Sequence, residues 1–205
     1  PLAERAAMLD GARPQALAWS ADGARLAAAT NDGRVHLIDA ATGGARVLAG
    51  AEPPIRALAF GPGGDGLAAE LSRGAVVAWR LDAPDAPPTL LRTRADDRYL
   101  SRVVWSGPRE LLRVASGPAL GLVALDLTAP PERGSTYLGD VTGAAIDVSA
   151  DGRWLIALGD GGPPQLWERR ADAVHPVPLA LPTDGWTALA SAFVGDRARL
   201  AALRR

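Results

Sequence analysis

A repeat constrains this chain more than any other feature. Five times, an apolar run closes on an aromatic or apolar residue and gives way to a small polar or glycine turn: residues 16–23, 57–64, 103–108, 145–152 and 190–196. The residues that precede the turns are Trp19, Phe60, Trp105, Val148 and Phe193, spaced 41, 45, 43 and 45 residues apart. Self-similarity at a fixed period means that each unit is one supersecondary element, stacked on its neighbours to bury a continuous core.

The second half of each unit agrees. After the turn comes a short apolar strand, at 25–29, 67–69, 111–114 and 154–158. A tight turn follows, clearest at Asn31-Asp32-Gly33, where Asn and Asp tolerate left-handed backbone and Gly supplies positive φ. A third strand occupies 34–39, 75–80, 122–126 and 165–168, and an outer strand follows at 45–48 and 89–91. Four short strands per unit of about 40–45 residues are the signature of a β-propeller blade.

Residues 48–81 resemble a WD40 repeat position by position. Leu48-Ala49-Gly50 leads in, residues 55–60 form the inner strand, and Trp79 takes the signature Trp place, as Trp167 does in the fourth unit. The resemblance covers nearly the whole chain. It departs from the family where Gly50-Ala51 stands for the Gly-His pair. The Asp that partners that His is present as Asp32 but reads Arg73 in the second unit, and Ile38 and Leu125 replace the signature Trp. The resemblance therefore implies a buried Asp–His–Ser/Thr–Trp network that is absent or broken here, with apolar packing holding the blades instead. Degenerate repeats of this kind also resemble bacterial propellers with a Pro-Asp-Gly turn.

The expected fold is all-β: a propeller segment of four complete four-stranded antiparallel blades plus part of a fifth, with little or no helix. The units run over about 15–48, 55–93, 101–139, 144–180 and, in part, 187–205, while 7–11 aligns with the outer strand of a preceding blade. No domain boundary falls inside. An open array leaves apolar faces and strand edges in water, so a piece of a longer protein is expected. Residues 82–88, 128–134 and 175–183 read as loops, rich in Pro and small polar residues.

Bulk chemistry narrows the function. The 22 basic and 23 acidic residues leave a formal charge of -1, with no surplus of either sign to drive binding to nucleic acid or an anionic membrane. There is no Cys, hence no disulfide, thiolate metal site or Cys nucleophile. No apolar run approaches the length of a membrane span, and no signal peptide is visible, so a cytoplasmic location is expected. Gly61, Gly63 and Gly66 match the spacing of a dinucleotide loop, but a strand follows them where a phosphate cradle needs a helix. His36 and His175 lack a second ligand at metal spacing, and Asp160-Gly161-Gly162 lacks the alternating oxygens of a calcium loop. No cofactor and no metal are expected. Trp19, Trp79, Trp105 and Trp167 stand at repeat positions and read as core.

The resemblance implies a non-catalytic scaffold for a protein or peptide partner, within a larger signalling or regulatory protein that carries an effector domain. Contacts would come from the loops before the inner strands, around Arg13, Glu52, Asp97, Arg98, Asp140 and Trp186. Residues 92–98 read as a solvated connection or a contact patch. The alternative is an enzyme propeller, lactonase- or peptidase-associated, with a site on the central axis. Its inner-strand starts should then hold acids, imidazoles or amides. Here they read Pro14-Gln15, Ile55-Arg56, Ser101-Arg102 and Ala144-Ala145, without a carboxylate or imidazole. A purely structural spacer is a third reading that the sequence does not separate from a binder.

Overall fold

The computed structural model describes residue 9 and residues 11–52, 54–91, 98–99, 103–116, 120–130, 134–140, 145–149, 152–158, 164–170, 173–179, 186–194 and 197–204. Most of 7–11 and of 92–98 lies outside that set. The chain divides into two compact units, Pro1–Thr93 and Arg94–Arg205.

The first unit holds two four-stranded antiparallel meanders. One is β1 (Pro14–Trp19), β2 (Arg25–Thr30), β3 (Val35–Asp39) and β4 (Ala45–Leu48); the other is β5 (Ile55–Phe60), β6 (Gly66–Leu71), β7 (Val76–Arg80) and β8 (Thr89–Leu91). The second unit begins with β9 (Arg98–Tyr99), which pairs with β11, beside β10 (Val104–Gly107), β11 (Glu110–Ser116), β12 (Leu120–Asp126) and β13 (Ser135–Asp140). A fourth meander is β14 (Ala145–Val148), β15 (Trp154–Leu158), β16 (Gln165–Arg170) and β17 (Ala173–Val177), and β18 (Trp186–Val194) pairs with β19 (Arg197–Arg204) as a two-stranded remainder. The expected all-β class is what the structure shows. Among the described strand connections, a single 3-10 turn, Ser72–Gly74, stands where the first sheet has Asn31-Asp32-Gly33.

Local chemistry sets the first hairpin turn of the first, second and fourth sheets. Ser20 Oγ donates to Asp22 Oδ1 at 2.6 Å and accepts from Arg25 N at 2.9 Å, while Gly23 takes φ 70°. The fourth sheet repeats this: Ser149 Oγ accepts from Trp154 N at 2.9 Å, and Gly152 N donates to Ser149 O at 2.8 Å. The residues read as a dinucleotide loop, Gly61 to Gly66, form this same turn between β5 and β6.

Packing between sheets explains why the strands are apolar on more than one face. In the first unit Ala27, Ala29, Val35, Leu37 and Leu48 of the first sheet meet Ile55, Leu58, Leu67, Ala69, Leu71, Val77 and Trp79 of the second. In the second unit Leu112, Val114, Leu122, Ala124 and Leu138 pack with Leu155 and Val174, joined by Val104, Ile146, Val148 and Trp167. Each large side chain so buried contributes about 1.5–3 kcal/mol.

The seam of the second unit also carries charge. Arg169, at the end of β16, reaches Glu110 with both terminal nitrogens (Nη2 to Oε2 at 2.7 Å), and Ser106 donates to the same carboxylate. Nearby, Glu168 bridges Arg153 and Arg170, each at 2.6 Å, and Arg153 lies 5.1 Å from the centre of the Trp154 ring.

Two sequence expectations are corrected. Trp19 is 58% exposed and not core. Alternation along β1 turns Ala16 and Ala18 into the seam and leaves Leu17 and Trp19 on the other face. His175, expected in a loop, lies in β17 opposite Glu168. Pro176 beside it is tolerated because β17 is an edge strand of its sheet.

Candidate binding surface

Arg13 and Glu52 lie just before the inner strands β1 and β5, next to the turn between the second and third strands of their sheets. In the first sheet this end is fastened reciprocally: Arg13 N donates to Asn31 Oδ1 and Asn31 N donates to Arg13 O, both at 3.0 Å. Arg13 thus sits on fixed backbone with its side chain exposed. The second sheet repeats the tie with main chain alone, Ser72 N donating to Pro54 O at 3.0 Å.

Glu52 occupies the connection from β4 to β5 and is exposed. Two contacts hold that connection. The Trp79 indole N–H donates to Ala49 O at 2.6 Å, and Gly50, at φ 93°, approaches Pro88 so closely that a Cβ would stand 2.6 Å from Pro88 Cγ. The signature Trp therefore fixes the loop on which Glu52 stands. β1 lies against β5, so Arg13 and Glu52 precede neighbouring inner strands.

The implied Asp–His–Ser/Thr–Trp network is split between blades. Asp32 accepts from Thr30 Oγ1 at 2.5 Å in a sheet with Ile38 at the Trp position, while Trp79 stands in a sheet without that Asp and bonds main chain. The Thr30 hydroxyl holds the Asp32 carboxyl below its ordinary value. His36 is buried in β3 between Ala28 and Val47, and its Nε2 has no hydrogen-bond partner among the described residues. It packs a blade.

In the second unit Arg98 pairs with Ser116, and Asp140 pairs with Gly121, at one end of the third sheet. Three strand spacings separate them, about 14 Å. Asp140 accepts a hydrogen bond from the Tyr137 hydroxyl. Tyr137, 59% exposed, lies over Gly121, where any Cβ would collide with its ring. The bond to Asp140 raises the Tyr137 hydroxyl above its ordinary pKa. Tyr137 is absent from the contact residues expected from sequence; the signal for it is Gly121, a glycine inside a strand, which marks a close approach. Trp186 opens β18 opposite Arg204. Asp97 lies outside the described residues.

The inner-strand starts that an axial active site would use hold Gln15 and Arg56, both exposed; Ser101, Arg102 and Ala144 lie outside the described residues. Among the described residues no group of three or more His, Cys, Asp or Glu could hold a metal ion.

No family model matches the sequence, and no curated protein does. Solved structures match the fold. The Cps50 (Swd1) β-propeller domain of Myceliophteria thermophila superposes with a TM-score of 0.63 at 19% identity, over 87% of this chain and 59% of that one. The C-terminal WD40 domain of Sif2 gives 0.63 at 18% identity, over 88% and 49%. A proposed 6-phosphogluconolactonase from Bacteroides uniformis ATCC 8492 gives 0.57 at 15% identity, over 80% and 53%. The chain thus spans between about half and three fifths of these three structures. Its fold is that of a WD40-like β-propeller.

Proposed function

We propose that this chain is a non-catalytic scaffold that binds a protein or peptide partner, as the repeat region of a larger signalling or regulatory protein. One observation carries the reading: each unit by itself presents exposed side chains at the loop ends of its sheets, Arg13 and Glu52 in the first and Asp140 and Tyr137 in the second, on backbone fixed by hydrogen bonds and close packing. Few ordering costs remain at such positions, and aromatic and Arg anchors dominate binding energy. WD40 domains among the fold neighbours support the same reading. The proposed lactonase among them supports the alternative, a site built on the central axis.

The test uses an Arg13→Glu, Glu52→Arg, Tyr137→Ala triple variant beside the wild type, with cell extract from the source organism. A protein that the wild type retains and the variant loses, with unchanged circular dichroism and Tm, is the expected result. Equal retention by both would sink the assignment of these residues. Hydrolysis of sugar lactones by the wild type would favour the axial site instead.

A further inference from the structure

The sheets end in outer strands, and these differ in a way that singles out β4. An outer strand offers every second N–H and C=O to a further strand unless something blunts it. β17 carries Pro176, which has no N–H to offer. β8 has three residues and follows Pro87 and Pro88. β13 is irregular, with a register shift at Leu122/Val123 and Gly139 at φ 146°. β4 has none of these features. It pairs with β3 without interruption from Ala45 to Leu48, and Ala45, Arg46 and Val47 are exposed.

The phase of the ladder shows which groups face outward. Asp39 N donates to Gly44 O at 2.9 Å. Bonded and non-bonded pairs alternate in an antiparallel ladder, so Leu37–Arg46 and Val35–Leu48 exchange the bonds to β3. The main-chain groups of Ala45 and Val47 therefore point to the open edge.

A groove of about 360 Å³ runs beside this strand, lined by Arg25, Leu37, Asp39, Ala45, Arg46 and Leu81. Leu37 and Leu81 are buried and give it an apolar floor. Two of its charged groups are already engaged. Asp39 accepts from N and Oγ1 of Thr42 at 2.7 and 2.8 Å, and Arg25 Nη1 donates to Gly64 O at 3.1 Å. The Arg46 side chain has no hydrogen bond or ion pair among the described residues. Arg46 and Leu37 are cross-strand partners, so both stand on the groove side of the sheet.

We propose that β4 is a docking edge for an extended acidic-aliphatic segment of a partner protein. The segment adds as a fifth strand through the main chain of Ala45 and Val47. On the groove side it places a carboxylate against Arg46 and an aliphatic side chain over Leu37 and Leu81. Its other face lies beside Val47. This surface is separate from the loop end that carries Arg13 and Glu52.

The probe is a capped heptapeptide of valine and threonine with one central glutamate, titrated into the isotope-labelled 205-residue chain and followed by amide chemical shifts. Shifts centred on 45–48 are expected. Replacing the glutamate by glutamine, or making Arg46→Glu, weakens binding about two- to fivefold. Val47→Pro abolishes it while leaving the β3–β4 bonds in place, because the lost N–H faced the open edge. Arg13→Glu leaves it unchanged, so failure here and failure of the loop-end reading are told apart. The proposal is overturned if millimolar peptide shifts nothing on β4, if Val47→Pro binds like the wild type, or if the glutamate and glutamine peptides bind alike.

Discussion

The two units solve one packing problem with different materials. In the first, the seam between sheets is apolar, and its polar tie among the described residues is a bond from exposed Arg25 to the Gly64 carbonyl. In the second, an apolar seam is supplemented by a half-buried Arg169–Glu110–Ser106 cluster. The turns at these seams are made alike: Gly23, Gly64 and Gly152 each donate to the carbonyl three residues earlier, at φ 70°, 72° and 71°. Nothing lies within 4 Å of a Cβ built on Gly23 or Gly64, whereas one on Gly152 would overlap the Ser106 carbonyl oxygen. The same turn is free in one unit and wedged against a neighbouring sheet in the other.

That contrast makes Gly152→Ala more damaging than the same change at either of the other two turns. Left-handed backbone costs a residue with a Cβ about 1–2 kcal/mol anywhere. At Gly152 the β10–β11 turn must also move, so a total loss of about 3 kcal/mol is expected in urea unfolding. Gly64→Ala should lose only the backbone part, about 1 kcal/mol. Equal losses at the two positions would show that the wedge does not constrain the second unit.

The ion cluster offers the next largest effect. Arg169→Met leaves the Glu110 carboxylate half-buried without its cation, at a cost of about 2 kcal/mol, below the range for fully buried pairs. Arg25→Met removes an exposed bond and should cost less than about 0.5 kcal/mol. The cluster also predicts a pH dependence. Burial pushes the Glu110 carboxyl up, but hydrogen bonds from Arg169 and Ser106, with the Arg169 charge, outweigh it and hold it below the ordinary value. A carboxyl lowered by folding contributes stability above the ordinary carboxylate range and loses it as pH falls through the lowered value. Acid titration of stability should therefore show a limb that flattens in Arg169→Met and persists in Arg25→Met. An unchanged limb in Arg169→Met would remove Glu110 from the account.

The repeat was legible because its signals are local. Ser20, Gly23 and their counterparts announce turns within four residues, and apolar alternation announces strands. Where blades meet is not local. Arg169 and Glu110 are 59 residues apart, and neither has a neighbour that marks the pairing. Trp19 sits at a repeat position like Trp105, yet the period does not tell which face of β1 finds a partner. Pro176 read as a loop residue because proline breaks inner strands, and only its place on an edge reverses that. For the proposed contact residues, Arg13, Glu52 and Asp140 were expected from their place before the inner strands and are exposed, while Tyr137 needed Gly121 across the sheet to be seen.

The signature tryptophans give the finest test of the contrast. Trp79 and Trp167 hold equivalent third-strand positions in the second and fourth sheets, and both pack into their seams. Trp79 donates to Ala49 O, whereas the buried Nε1 of Trp167 has no partner among the described residues. Trp79 is buried and Trp167 half-buried, and phenylalanine removes a bonded indole N–H at the first site and an unpaired one at the second, so burial and hydrogen bonding both make the Trp79 substitution the costlier. Trp79→Phe should cost about 1 kcal/mol more than Trp167→Phe. It should also speed amide hydrogen exchange at Gly50 and Ala51, because the connection that carries Glu52 loses its anchor, while Trp167→Phe leaves those amides unchanged. Equal costs and equal exchange would mean that packing alone holds that loop, and that the exposed carboxylate of Glu52 does not depend on the indole beneath it.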